Sequence, residues 1–212
     1  PAMSDALVFT NAWFGPRILA VWERLFRDRP PARILEVGCF EGASTCALIR
    51  HFARSRPLEL HCVDTWDGGL EHQPGGPCEA DMREVEARFD RNTRITRDAA
   101  GQPVDFRKHK AASDLALAGL LSAVGREHFD FIYIDGSHQA ADVLCDAVLG
   151  FRLLKVGGIL GFDDFLWHQP GTPLDLLRCP KAAIDAFSTL HFDRLRAVHG
   201  SIQQFYFEKT GR

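Results

Sequence analysis

Several things that would place a chain in a specialised class are missing here. Basic and acidic residues nearly balance, 25 Lys and Arg against 28 Asp and Glu, and no basic run occurs. A nucleic-acid partner would therefore meet no electrostatic footprint. No apolar stretch reaches the roughly 20 residues that span a bilayer, so no membrane partner is expected. No signal-peptide pattern opens the chain. The six cysteines (Cys39, Cys46, Cys62, Cys78, Cys145, Cys179) form no C-x-x-C pair. That speaks against a disulfide scaffold or a zinc site and for a reducing, cytoplasmic setting. Four of them fall in apolar periodic segments, where cysteine packs as a small hydrophobe. There is no internal repeat, no low-complexity segment, no G-x-G-x-x-G and no P-loop lysine. What remains is an ordinary globular composition, 46% hydrophobic over 212 residues, enough for one sizeable core.

Residues 5–27 carry apolar positions at helical spacing (Leu7, Trp13, Ile18, Val21, Trp22, Leu25, Phe26), and Pro30-Pro31 ends that helix. Residues 1–29 thus read as an N-terminal helical segment and 30–212 as a single domain. Strand and helix patterns then alternate. Strands are expected at 32–38, 58–64, 104–109, 129–135 and 158–163, with helices at 44–53, 80–97, 114–124, 139–154 and 181–190. Such alternation predicts an α/β fold: a doubly wound, mostly parallel sheet with helices on both faces in three layers. Strands 192–198 and 202–209, joined by His199-Gly200-Ser201, should pair antiparallel. The irregular stretches 65–79 and 165–178 follow strand ends, where open α/β sheets bind ligands, and read as lids.

Acidic residues gather at those strand ends. Asp135 closes F-D-F-I-Y-I-D-G-S-H (129–138), and Asp163-Asp164 close G-G-I-L-G-F-D-D (157–164). Carboxylates crowd a partly dry crevice only at a cost, unless a cation or a reaction holds them there. If the two strands are neighbours, about 4.8 Å apart, these aspartates can share one hard cation such as Mg²⁺. His138, with an ordinary pKa of about 6.5, is the candidate general base. Trp167 and His168 lie on the second lid. Asp142 and Asp146, one helical turn apart, read as structural or solvent-facing.

The segment I-L-E-V-G-C-F-E-G-A-S-T (34–45) runs from strand through a glycine turn into a helix. Gly38 and Gly42 permit a sharp turn and close approach to a ligand, and Ser44 or Thr45 is placed to cap the helix. Glu36 faces whatever binds the turn; it would repel a pyrophosphate and suits a cationic ligand. Asp64, ending the second strand, matches an acceptor for ribose hydroxyls, and Trp66 is placed to cover an adenosine.

Taken in order, 35–45, V-D-T-W-D-G (63–68), I-D-G-S-H (134–138) and L-K-V-G-G-I-L-G-F-D-D (154–164) resemble the class I S-adenosylmethionine-dependent methyltransferases. Within them the chain is similar to the metal-dependent O-methyltransferase branch, which includes sugar O-methyltransferases and the catechol O-methyltransferase-like group. The ending I-Q-Q-F-Y-F-E-K-T (202–210) resembles the family's last strand, and the likeness spans residues 30–210. It implies a seven-stranded, Rossmann-like sheet with a reversed final strand. It also implies a donor site of Glu36, Gly38, Gly42 and Ser44 for the methionine part, with Asp64 and Trp66 at the ribose and adenosine. Ala112 and Ser113 would lie at the adenine, with Asp135 between donor and ion. The metal would be held by Asp135, Asp163 and Asp164, with His138 as base. The expected activity is methyl transfer from S-adenosylmethionine to a hydroxyl of a small molecule, a sugar or vicinal diol, with Mg²⁺ or another divalent cation. A homo-oligomer is compatible with this reading. Phe40 stands where the broader family has a third glycine; related metal-dependent members also lack it. Two rivals stay open: an NAD(P)-dependent oxidoreductase, opposed by Glu36 and the absent fingerprint, and a non-catalytic cofactor-binding module, opposed by the intact acidic set.

Overall fold

The computed structural model describes residues 6–169, 173–198, 200–201 and 203–212. Its elements, in chain order, are α1 (Pro16–Leu25), β1 (Arg33–Val37), α2 (Ala43–Phe52), β2 (Leu58–Asp64), α3 (Met82–Asp98), β3 (Val104–Lys110) and α4 (Ser113–Val124). Then come β4 (Phe129–Ile134), α5 (Ala140–Leu153), β5 (Leu154–Phe162), α6 (Pro180–Leu190), β6 (Leu195–Val198) and β7 (Phe205–Lys209). They build one seven-stranded sheet in the order β3-β2-β1-β4-β5-β7-β6. Strands β1 to β5 pair in parallel; β7 is antiparallel to both β5 and β6. The fold expected from the alternation is therefore present, and β7 enters between β5 and β6.

Strand alternation supplies two cores. Leu35, Val37, Ile132, Ile134, Leu160 and Phe162 pack beneath α4, α5 and α6. Their chain neighbours Ile34, Phe131, Tyr133 and Ile159 pack beneath α1, α2 and α3. Trp22 is the anchor of α1, wholly buried and edge-on to Tyr133 at 5.1 Å. The edge strand β3 is shielded by charge: Lys108 pairs with Glu86 and Asp90, and Arg107 with Asp105. At the other end of α5, Lys209 of β7 donates to the carbonyls of Phe151 and Leu154 at 2.9 and 2.7 Å, closing the helix.

Four sequence expectations need correction or narrowing. The N-terminal helix is shorter than 5–27, and residue 5 lies outside the described residues. Pro16 occupies the first helical turn and disfavours helix at Gly15. Residues 8–10 are instead tied down in non-helical form: Asn92 bonds both the N–H and the carbonyl of Val8, and Glu41 accepts from Thr10. Strand β5 begins at Leu154 rather than 158, across an irregular register that absorbs Gly157 and Gly158. Strand β6 is shorter than predicted because residues 192–194 form a 3₁₀ turn, and β7 starts only at Phe205; Ile202 and His199 of the expected strand and turn lie outside the described residues, as do 170–172 of the second lid. Finally, of the two places the spacing leaves open for Asp146, structural or solvent-facing, only the structural one holds. It is only 1% exposed, and among the described residues neither carboxylate oxygen has a hydrogen-bond partner.

Burial pushes the Asp146 carboxyl up to about 7, from an ordinary value near 3.8. A raised carboxyl pKa means that the ionised form strains the fold; the penalty is full above pH 7 and gone below pH 4. Asp146→Asn should therefore be more stable than the parent at pH 8, by up to about 4 kcal/mol. The gain should shrink towards zero as pH falls to 4. Urea denaturation at the two pH values measures it, and a pH-independent difference would refute the assignment.

Candidate active site

The parallel registers line up Val63, Val37, Ile134 and Phe162 on β2, β1, β4 and β5. One residue further, beyond these aligned positions, stand Asp64, Gly38, Asp135 and Asp163. The ladder continues into this row through Gly38 N–H to Val63 O, Asp135 N–H to Val37 O and Asp163 N–H to Ile134 O. The row crosses the β1/β4 boundary, where the strand order reverses and open α/β sheets form their ligand crevice. Its central member must be glycine. A Cβ on Gly38 would lie 2.0 Å from the Asp135 carbonyl oxygen, and the residue's φ is +84°. Three carboxylates thus flank a bare backbone.

Asp135, His138, Asp163 and Asp164 line one cavity of about 10 Å³, close to the room one water-sized sphere needs. The four residues named from the sequence for metal and base are brought together. Asp135 has no hydrogen-bond or ion-pair partner among the described residues, an unusual state for a half-buried carboxylate. Burial, then the charges of Asp163 and Asp164, hold its carboxyl well above the usual range. Burial and Asp164 also raise Asp163, against hydrogen bonds from Tyr133 and Gln204. A hard cation suits this set in donor type, in cavity size and in relieving that repulsion. The three carboxylates do not, however, bring one oxygen each within 4.8 Å of the others. Among the described residues the group that meets that spacing is Glu36, Cys39 and Cys62. Those three are fully buried, and burial raises both thiols, so they form a hydrogen-bonded core cluster rather than a thiolate site.

His138 is clamped. Its Nε2 lies 3.1 Å from Asp164 Oδ2, its Nδ1 3.4 Å from Glu71 Oε1, and its ring stacks on Trp167 at 3.8 Å. Burial would lower its pKa, but the two carboxylates outweigh that and raise it to about 9. In this arrangement the ring holds its proton at neutral pH, whereas the sequence suggests a neutral acceptor. Glu71, on the 65–79 loop, carries no sequence signal for this role; its contact depends on how the loop folds back over β4.

The glycine turn departs from the sequence reading in three side chains. Glu36 does not face a ligand: it is fully buried and accepts from Ser44 and Thr45 on the first turn of α2. Ser44 is spent on Glu36 and does not cap the helix, whose start is the left-handed Gly42. Trp66 is 2% exposed, packed on Phe89, with its indole N–H donated to Phe40 O. It supports the turn from below. Asp64 Oδ2 accepts the N–H groups of Cys39 and Phe40 at 2.7 and 3.0 Å, and Oδ1 accepts from Trp66 at 2.8 Å. One lone pair, on Oδ1, is left for a ligand hydroxyl. Ala112 precedes α4, exposed, and Ser113 is the helix's first residue. Above the turn, Trp13 and His72 lie against Phe40, with centroids 5.0 and 5.1 Å away. Of four non-glycine residues with positive φ, three (Phe40, Trp66 and Asp164) stand at these strand ends. Backbone strain of that kind collects at functional sites.

Residues 35–165, well over half of the chain, match a family model described as a methyltransferase domain, and the chain belongs to that family. No curated protein matches the sequence significantly. Among solved structures, an O-methyltransferase from Bacillus cereus in complex with SAH is similar, with 18% identity and a TM-score of 0.64 over 92% of this chain and 80% of that one. TomG, an O-methyltransferase from Streptomyces achromogenes involved in tomaymycin synthesis, in complex with SAM, gives 17% and 0.58 over 91% and 79%. MycE, a methyltransferase of the mycinamycin pathway in complex with Mg and SAH, gives 18% and 0.53 over 90% of this chain and 48% of its own. The resemblance to the class I S-adenosylmethionine-dependent methyltransferases is borne out in family and in architecture. No helix among the described residues is long and apolar enough to cross a membrane.

Gly38 and Gly42 should respond differently to alanine. At Gly38 the new Cβ meets backbone, and the loss should be at least about 3 kcal/mol. At Gly42 it meets the side chains of Phe89 at 3.0 Å and Thr93 at 3.3 Å, which yield, so about 1–2 kcal/mol is expected. Equal losses in denaturant titrations would show that the strand contact at Gly38 does not decide its identity.

Proposed function

We propose that this protein transfers a methyl group from S-adenosylmethionine to a hydroxyl oxygen of a small molecule, with a divalent cation assisting. The observation that carries the reading is the unpartnered Asp135 carboxylate, in one row with Asp64 and Asp163 and in one ion-sized cavity with Asp163, Asp164 and His138. Similar structures were obtained with SAM, with SAH, and with Mg and SAH, which supports the donor and the cation.

A sulfonium donor is already activated, so the protein's work is to place donor and acceptor in line and to free the acceptor's proton. Gly38 and Gly42 let the backbone approach the donor, while Glu36, Ser44 and Trp66 brace that turn from within. Asp64 offers its remaining lone pair to the ribose, and Ala112 and Ser113 stand beside the adenine. Asp135, Asp163 and Asp164 would hold the cation, which supplies Lewis acidity that lowers the pKa of a bound hydroxyl. His138 takes the acceptor proton once it has lost its own, which requires Asp164 to exchange the imidazole for another partner. A vicinal diol, in a sugar or another small metabolite, matches a site able to engage two adjacent hydroxyls.

Asp163→Asn and Asp164→Asn should each lower turnover at least about tenfold while leaving S-adenosylhomocysteine affinity within about twofold, measured by calorimetry. Chelator should do the same to the parent. Donor affinity falling in step with turnover would count against a separate cation site. Asp64→Asn should weaken the donor about tenfold, because the new amide cannot accept from Cys39 and Phe40 and from ribose together. Unchanged affinity would remove Asp64 from the donor site.

A further inference from the structure

A continuous chain of buried hydrogen bonds runs from α1 to the cavity. Trp22 Nε1–H donates to the Tyr206 hydroxyl at 2.9 Å, and Tyr206 donates to Gln204 Oε1 at 3.2 Å. Gln204 Nε2 donates to the Tyr133 hydroxyl at 3.1 Å and to Asp163 Oδ2 at 3.0 Å. Tyr133 donates its own proton to the same Oδ2. Trp22, Tyr133, Gln204 and Tyr206 are all at most 3% exposed.

The direction of this chain is fixed by chemistry. An indole nitrogen only donates, so Tyr206 must accept from Trp22 and pass its proton on. Gln204 must then present its oxygen to Tyr206 and its NH₂ group to Tyr133 and Asp163. Tyr133, accepting from Gln204, is left to donate to Asp163. Bonds aligned in this way polarise and strengthen one another.

A carboxylate oxygen has two lone pairs. Tyr133 and Gln204 fill both on Asp163 Oδ2. On Oδ1 the Asp164 N–H takes one at 2.8 Å, and one remains. We infer that Tyr133 and Gln204 are positioning residues that restrict Asp163 to a single point of attachment, through Oδ1, and so favour Mg²⁺ over Ca²⁺ at this site. Mg²⁺ takes single oxygens in a tight octahedron, whereas Ca²⁺ is larger and gains from carboxylates that offer both oxygens. The inference rests on the cation reading proposed above, and adds the residues that set which cation is held. Tyr206 and Trp22 act one step back, by denying Gln204 the opposite amide orientation.

The test is direct cation binding by the full chain, without turnover. Mg²⁺ and Ca²⁺ affinities are measured by calorimetry for the parent, Tyr133→Phe, Gln204→Leu and Tyr206→Phe, with melting temperatures alongside. In Tyr133→Phe and Gln204→Leu, Mg²⁺ affinity should fall about 10–100-fold and the Mg²⁺/Ca²⁺ preference should narrow, because Oδ2 is freed. Tyr206→Phe keeps both donors to Asp163 and should shift the preference less. Variants that melt earlier but keep the parental preference would overturn the inference and leave the cation reading standing. A parent that binds neither ion would overturn both. Should Gln204→Leu fail to fold, Tyr133→Phe, which removes one hydroxyl under a ring that stays packed, decides alone.

Discussion

Like charges held in a row by sheet register are the constraint around which this molecule is organised. The backbone ladder fixes Asp64, Asp135 and Asp163 at the same height on their strands. The sheet therefore carries an unfavourable electrostatic arrangement as a built-in property. Its cost is met by the hydrophobic layers on either face, which bury Leu35, Ile132, Ile34, Phe131 and their neighbours. Gly38 makes the row tolerable at its centre, because it allows β1 and β4 to close up without a side chain between them.

Around that row the polar groups divide by task. Those beneath the sheet's end are fully occupied: Glu36 by Ser44 and Thr45, and Asp163 Oδ2 by Tyr133 and Gln204. Those facing the crevice keep capacity: one lone pair on Asp64, one on Asp163, and the whole of Asp135. Acceptors that keep free capacity where they face a crevice are what a site shaped for a ligand requires. His138 lies between the two groups, paired with Asp164 and Glu71 and covered by Trp167.

Much of this was legible in the sequence, and the rest was hidden for identifiable reasons. Period-two and period-3.6 patterns report which faces are buried, so β2 matches its predicted range and most helices fall within a residue or two. The acids at strand ends were visible because aspartate is conspicuous after an apolar run. Orientation is less accessible: Glu36 and Trp66 stand out in the sequence but point inward, because two hydroxyls of α2 and the ring of Phe89 claim them. Glu71, Tyr133 and Gln204 carry no local sequence signal, because their partners are 30 to 71 residues away or come from a folded loop. For Asp146 the spacing leaves structural and solvent-facing places open, because helical spacing alone does not say which stripe of α5 meets α4.

Strand β7 is made after every strand it joins, yet it sits between β5 and β6, and Lys209 on it closes the carbonyl end of α5. During synthesis the nascent sheet must therefore wait with β5 unpaired on one side, and Asp163 without its Gln204 donor, until this segment emerges. With this one strand in place, the hydrophobic layer, the helix terminus and the acidic pocket are all complete. A chain cut short before this strand would keep the aspartates in its sequence and lack the scaffold that aims them.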